Sequence, residues 1–95
     1  MDKTFEWDKE KNQTLMNRRG VSFDAVVSNM ESGNVLAIVP GKGKFSRQKQ
    51  YIVNRHGYVY IVPAVEENDR IFLKTIIPSR KLTKQYLRGG KDEEV

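Results

Sequence analysis

The spacing of apolar residues changes at Gly33, and this change constrains the fold more than any other feature of the chain. Before Gly33, the residues Phe23, Val26, Val27 and Met30 recur at the three- and four-residue steps that place them on one face of a helix. After Gly33, runs rich in Val, Ile and Tyr alternate with a period of two, which is typical of strands. Helices followed by a sheet predict an α+β protein.

Three helices are predicted, each from a polar residue placed to cap its first turn. The capping residues and their helices are Asp8 for residues 9–19, Ser22 for a helix that ends at Gly33, and Ser79 for a helix that ends near Leu87. Gly20 is placed to end the first helix, and Pro78 separates the last strand from the last helix.

Four long strands are predicted at residues 35–39, 50–54, 58–65 and 71–77, and a short one at residues 5–7. Tight turns at residues 55–57 and 66–69 join the last three long strands as hairpins, so the prediction is an antiparallel four-stranded sheet in the order β-α-α-β-β-β-β-α. A chain of 95 residues holds one domain, residues 1–95, and residues 91–95 are expected to form a frayed tail.

Positive charge is segregated along the chain, which has a formal net charge of +5. Residues 32–65 hold five Lys or Arg and no Asp or Glu, and residues 70–91 hold seven and no acid. Segregated positive charge favours polyanions such as RNA or DNA, through phosphate contacts and counterion release. An acidic protein partner and a solvated basic surface without a partner are the alternatives.

The composition excludes several kinds of site. The chain has no Cys, so disulfides, thiolate metal sites and Cys nucleophiles are excluded, and its one histidine, His56, falls in a predicted turn. No metal or cofactor is expected. The apolar runs are too short to span a bilayer and the first residues lack the apolar segment of a signal peptide, so we expect a cytoplasmic protein without a membrane partner.

Lys74 is unusual because it interrupts an apolar strand. By alternation Phe72, Lys74 and Ile76 share one face, where an unpaired ammonium group would be costly unless it reached a groove or the solvent. RNA supplies its own nucleophile, the 2′-hydroxyl, so fixed cations can cleave it by orienting that group and stabilising the phosphorane. A Lys or Tyr can move the protons. The composition permits this chemistry without demanding it.

Two motifs resemble those of BrnT-type toxins. Residues 5–8 (FEWD), Lys11 and residues 20–23 (GVSF) are similar to the family's F-x-W-D-x-x-K and K-H-G-V-S-F. Residues 74–86 (KTIIPSRKLTKQY) are similar to its ending, I-I-S-A-R-K-A-T-K-x-x-x-x-Y. The resemblance covers nearly the whole chain in the same order. It departs from the family at Leu15, where the family has Asn, at Arg19, where it has His, and at Pro78.

The resemblance implies a RelE-like α+β fold, a ribonuclease that inhibits translation, and a cognate antitoxin that neutralises it and alone contacts operator DNA. The family's basic motif residues fall on Lys11, Arg80, Lys81 and Lys84, and its terminal Tyr falls loosely on Tyr86. The leading hypothesis is therefore a metal-independent endoribonuclease of a type II toxin–antitoxin pair that acts on messenger RNA, free or on the ribosome. The alternatives are a non-catalytic basic module that binds RNA or protein and, more weakly, a DNA-binding regulator.

The candidate residues follow from this hypothesis and from the charge pattern. The catalytic candidates are Arg80, Lys81 and Arg19, which would bind the phosphate, and Lys74 and Lys84, which would move protons. The RNA-binding candidates are Lys11, Arg18, Arg47, Lys49 and the two tyrosines that could stack on bases, Tyr51 and Tyr86.

Overall fold

A computed structural model describes residues 3–87 of the chain, with the backbone alone at position 45. The predicted tail at residues 91–95 lies outside these residues. The helices are α1 (Lys9–Arg19), α2 (Phe23–Glu31) and α3 (Arg80–Leu87). The strands are β1 (Thr4–Trp7), β2 (Val35–Pro40), β3 (Gln48–Arg55), β4 (Tyr58–Glu67), β5 (Arg70–Leu73) and β6 (Ile77–Pro78), with a 3-10 turn at Gly43–Phe45.

The α+β class is confirmed, but the predicted antiparallel four-stranded sheet is wrong. The described residues form a mixed six-stranded sheet in the order β1-β5-β4-β3-β2, with β6 paired to β4. The added edge strand, β1, runs parallel to β5, with Phe5 opposite Ile71. Such pairing joins residues that are far apart in the chain, so no local pattern of turn residues reveals it.

The predicted caps are present and fix the ends of the first two helices. The Asp8 side chain accepts a hydrogen bond from the Lys11 amide, and the Ser22 hydroxyl accepts one from the Ala25 amide. Gly20 ends α1 in the left-handed region, with φ of 69°, which glycine adopts without steric cost.

Helices α1 and α2 cover one face of the sheet, called here the core face. Its buried side chains are Leu15, Val21, Phe23, Val26 and Met30 from the helical half, and Tyr51, Val53, Val62, Ala64, Ile71, Leu73 and Ile76 from the sheet half. Trp7 stacks on Phe23, with ring centroids 5.6 Å apart. This contact joins the parallel edge strand to the helical layer.

The opposite face, called here the open face, is covered only in part, by α3. Ile52 lies on it, because residues alternate along β3 and the neighbours of Ile52 face the core. Thr83 of α3 is buried, and its hydroxyl accepts a hydrogen bond from the Val59 amide at 2.9 Å and donates one to the Ser79 carbonyl at 2.7 Å. These bonds fix α3 above β4 and leave the rest of the face exposed.

A bulge divides the predicted strand at residues 71–77 into β5 and β6. Leu73 pairs with Ala64, but the pairing resumes with Ile77 opposite Ile61, so three residues, 74–76, lie opposite two. The extra residue reverses the alternation. Ile77 is consequently exposed, where the prediction placed it on the face of Leu73.

Pro63 gives the physical reason for the bulge. It lies in the central strand β4, has no N–H to donate, and proline inside a sheet is confined to edges and bulges. Its carbonyl still accepts a hydrogen bond from the Lys74 amide at 2.8 Å. Beyond this bond the chain bulges, and Ile76 turns into the core instead of sharing a face with Lys74 as predicted.

Candidate functional site

A groove crosses the open face of the sheet from β1 to α3. It consists of four neighbouring cavities that share wall residues. Two of them matter most: a central cavity of about 440 Å³ and a cavity of about 580 Å³ beneath α3, called here the α3 cavity. The central cavity is lined by Lys11, Gln48, Gln50, Pro63, Lys74, Thr75 and Ile77. The α3 cavity is lined by Val39, Pro40, Lys42, Gln50, Ile52, Leu82 and Tyr86.

Lys74 lies at the middle of the groove. It lines the central cavity and both cavities toward β1, and its ammonium group lies 5.6 Å from the centroid of the Phe72 ring. The side chain is exposed, so the expectation that this lysine reaches a groove is confirmed. A cation at this distance from an aromatic face is held by the ring quadrupole without being neutralised.

Thr75 is a candidate that the sequence prediction missed. Regular alternation placed it with the core residues Ile71 and Leu73. The bulge instead places Thr75 next to Lys74 in the wall of the same central cavity. A hydroxyl beside an ammonium group is a pair of hydrogen-bond donors suited to a phosphate. The signal that could have found it is Pro63, because proline inside a sheet is confined to edges and bulges.

Lys11 reaches the central cavity from the start of α1. It lines both this cavity and the neighbouring one beneath α1, together with Lys74 in each case. Two further hydrogen bonds fix α1. The Asn12 side chain accepts from the Phe23 amide, and Arg19 Nη1 donates to the Ile76 carbonyl, both at 2.7 Å. Lys11 therefore extends from a helix that is tied at both ends.

Arg19 is not part of the groove as described. Its guanidinium group binds the backbone at the bulge, which assigns it a structural bond where the prediction gave it phosphate binding. Arg18, its neighbour, is exposed and lines none of the four cavities. Of the five catalytic candidates, only Lys74 lines this groove.

The cations of α3 lie outside the groove. Arg80, Lys81 and Lys84 are exposed, and the residues through which α3 contributes to the four cavities are Leu82 and Tyr86. Residues four apart share one face of a helix, so Arg80 and Lys84 lie on one face of α3 and Leu82 and Tyr86 lie on another. Tyr86 is 38% exposed and lines the α3 cavity, and its assignment to base stacking stays a prediction.

Three predicted RNA-binding residues, two in β3 and one directly before it, are not in the groove. Tyr51 is 7% exposed within the core, and its burial raises the pKa of its hydroxyl, so it is not accessible for stacking. Lys49 Nζ lies 3.0 Å from a carboxylate oxygen of Glu66, and this hydrogen bond raises the pKa of Lys49. Arg47 is exposed but lines none of the four cavities.

Charge is distributed unevenly along the groove. No acidic residue lines the central cavity or the α3 cavity, whereas the two cavities toward β1 include Glu6, Asp8, Glu10 and Glu67. The cavities toward β1 also hold Lys11, Arg70 and Lys74, which offset these carboxylates. An anionic ligand is therefore favoured most from Lys74 toward α3, where the cations have no acidic neighbour in the wall.

The described part of the chain has neither a metal-binding cluster of side chains nor a membrane-spanning helix. Within residues 3–87, no group of three or more His, Cys, Asp or Glu side chains could hold a metal ion. His56 lies in the exposed turn between β3 and β4, with φ of 55°. No helix among the same residues is long and apolar enough to cross a bilayer.

No protein-family model, curated protein or solved structure matches this chain, so its resemblance to BrnT-type toxins stays a prediction from its two motifs.

Proposed function

We propose that this chain binds single-stranded RNA in the groove and is the toxin of a type II toxin–antitoxin pair, acting as a metal-independent endoribonuclease on messenger RNA. The observation that carries the proposal is the central cavity, where Lys74, Thr75 and Lys11 meet without any acidic neighbour in the wall. The first BrnT-like motif adds support, because Lys11 belongs to it, whereas Lys74 precedes the residues that match the second motif. On this proposal the α+β architecture is a divergent RelE-like fold.

The proposed reaction uses the RNA's own 2′-hydroxyl. Its oxygen bonds to the adjacent phosphorus, the bond from phosphorus to the 5′-oxygen breaks, and the products end in a 2′,3′-cyclic phosphate and a 5′-hydroxyl. The 2′-hydroxyl loses one proton and the leaving 5′-oxygen gains one. Lys74 and Lys11 would stabilise the charge that develops on the phosphorane, and Thr75 would donate a hydrogen bond to it. Lys74 is the candidate for proton transfer.

The cations outside the groove receive a different role. Arg80, Lys81 and Lys84 form an exposed basic surface on α3, and we assign them to flanking phosphates of the same strand. They would raise affinity without touching the reacting atoms. This division differs from the sequence hypothesis, which placed them in catalysis.

Expression of the chain alone tests the proposal. We expect growth arrest with RNA cleavage that survives EDTA. The arrest should be lost with Lys11→Met but kept with Lys9→Met, a matched control two residues away that is exposed and lines none of the four cavities. Normal growth at high expression, with intact RNA, would contradict the proposal.

A non-catalytic RNA-binding module is the second candidate. It is favoured by the absence of histidine from the four cavities, whose lining residues offer only Lys and Tyr besides carboxylates for proton transfer. Binding of RNA that depends on Lys11 and Lys74 but never leads to cleavage would establish this candidate instead.

We further propose that the partner protein adds a strand to the outer edge of β2. Among the described strands β2 is last in the sheet order, so that edge is unpaired. It carries no charge, and Leu36 and Ile38 are 37% and 54% exposed. Such an edge is a template for strand addition. The cations that follow in the chain, Lys42 and Arg47, favour an acidic segment, and we assign this segment to the cognate antitoxin that the resemblance implies.

Ile38→Lys tests this edge. A charge on the edge strand should prevent strand addition, so the variant should stay toxic but escape neutralisation by the co-expressed product of the adjacent reading frame. Met16→Lys is the control, because Met16 is an equally apolar, 46% exposed residue on α1. Neutralisation of both variants alike would show that the antitoxin docks elsewhere.

A further inference from the structure

The α3 cavity has the dimensions and lining of a ligand pocket. Its volume is about 580 Å³, and four of its seven lining residues, Val39, Pro40, Ile52 and Leu82, are apolar. The other three are Lys42, Gln50 and Tyr86, which supply a cation, an amide and a phenol ring. Apolar walls with a few convergent polar groups are what small-molecule sites in proteins share.

Gln50 connects this pocket to the proposed phosphate site. Gln50 lines both the α3 cavity and the central cavity that contains Lys74 and Thr75. No acidic residue lines either cavity, so a polyanion can pass from one to the other without meeting a carboxylate in their walls. A group held in the α3 cavity would therefore be adjacent to a phosphate held at Lys74.

We propose that the α3 cavity receives one base of a single-stranded RNA whose neighbouring phosphate lies at Lys74. Tyr86 stacks on the base, and the amide of Gln50, which both donates and accepts hydrogen bonds, reads its edge. Lys42 binds the phosphate on the other side of that nucleotide. This inference rests on the proposed RNA-binding function and adds to it a residue, Gln50, that sets base preference.

The chemistry of the walls favours a base over an apolar side chain of a protein partner. An apolar side chain would fill the pocket but leave the Gln50 amide without a hydrogen-bond partner in a closed interface, which is costly. A base satisfies the amide and uses the ring of Tyr86, and its backbone satisfies Lys42. Every polar group in the wall then has a partner.

Abasic substitution tests the assignment directly. The probes are fluorescent single-stranded RNAs that carry 2′-O-methyl groups to prevent cleavage, either intact or with one abasic nucleotide moved along the strand. For the wild-type chain, we expect one abasic position to weaken binding by about fivefold to 150-fold, the value of one stacked base. Tyr86→Ala and Gln50→Ala should weaken the intact probe, and with Tyr86→Ala the same abasic substitution should have little further effect.

Three controls make each outcome decisive. Gln85→Ala, next to Tyr86 but exposed and outside the cavity, should bind as the wild type does. Lys74→Met should weaken every probe alike, and circular dichroism should show that the variants are folded. If Lys74→Met weakens binding but no abasic position does, the pocket does not hold a base, although RNA binding stands. If no probe binds at all, the proposed function fails together with this inference.

The remaining outcome concerns a protein partner, the antitoxin, as the occupant of the α3 cavity. Suppose Tyr86→Ala leaves RNA binding unchanged and instead weakens binding of the antitoxin. The α3 cavity is then a protein-docking site, and the base assignment is overturned.

Discussion

Single side chains decide how the helices attach to the sheet in this protein. Thr83 is buried, yet its hydroxyl serves two backbone groups, the Val59 amide and the Ser79 carbonyl. Arg19 makes the comparable bond for α1, to the Ile76 carbonyl. These two residues set the positions of the elements that border the groove, and neither of them lines it.

Thr83→Val tests the first of these attachments. The substitution keeps the shape of the side chain but leaves the buried Val59 amide without an acceptor, a loss of about 1–3 kcal/mol in the free energy of unfolding. Urea denaturation measures it. The exposed Thr14→Val on α1 is the control and should change stability by about 0.5 kcal/mol or less. Equal effects of the two substitutions would show that the Thr83 hydroxyl does not hold α3.

At the scale of elements, the bulge between β5 and β6 has the largest effect on the site. It places Thr75 beside Lys74 in the central cavity and turns Ile76 into the core. The capped helices and the hairpins could be predicted from local signals, namely Asp8, Ser22 and the tight turns. No local signal within residues 71–77 predicts the bulge, because its cause, Pro63, lies in another strand and acts only once the two strands are paired.

The sequence also could not assign faces to β3. Alternation correctly separates Tyr51 from Gln50, but it does not show which of the two faces the helices will cover. Residue type and charge point to Tyr51 and Lys49 for RNA binding, although Tyr51 lies in the core and Lys49 is paired with Glu66. They do not point to Gln50, which lines the central cavity. The sequence likewise does not show which face of α3 packs on the sheet. The buried Thr83 marks that face, and Arg80, Lys81 and Lys84 are exposed.

The ion pairs at one end of the core face predict a pH dependence of stability. Glu66 joins β4 to β3 through Lys49 and to the start of the chain through Lys3, and the hydrogen bonds from Lys3 and Lys49 lower the pKa of Glu66 below its ordinary value of 4.5. Because the folded pKa is the lower one, this stabilisation is present above pH 4.5 and is lost as the pH falls through the folded pKa.

Glu66→Gln should therefore flatten the pH dependence of the unfolding free energy below about pH 4.5 and leave its shape near neutrality unchanged. The measurement is urea denaturation at a series of pH values, at low and high salt, since exposed ion pairs are screened. Glu31→Gln, an exposed residue at the end of α2, is the control. A variant and wild type that lose stability in parallel would contradict the role given to Glu66.

At the scale of the whole molecule, the sheet separates two environments. The core face carries α1, α2 and most of the buried residues, and the open face carries the groove, in which cations lie along the whole length and carboxylates only toward β1. The described part of the basic run, residues 70–87, is divided between the groove and the surface of α3. Lys74 belongs to the groove, whereas Arg80, Lys81 and Lys84 form the exposed surface of α3.

The central claim is that Lys74 acts on the reacting phosphate and the α3 cations act only on affinity. Single-turnover cleavage of a labelled single-stranded RNA, at saturating protein and in EDTA, separates these roles. We expect Lys74→Met to lower the rate by about 100-fold or more, the usual loss of a transition-state donor. The double variant Arg80→Ala with Lys81→Ala should need more protein to saturate and then cleave at nearly the wild-type rate. A rate that depends on Arg80 and Lys81 but not on Lys74 would contradict the account.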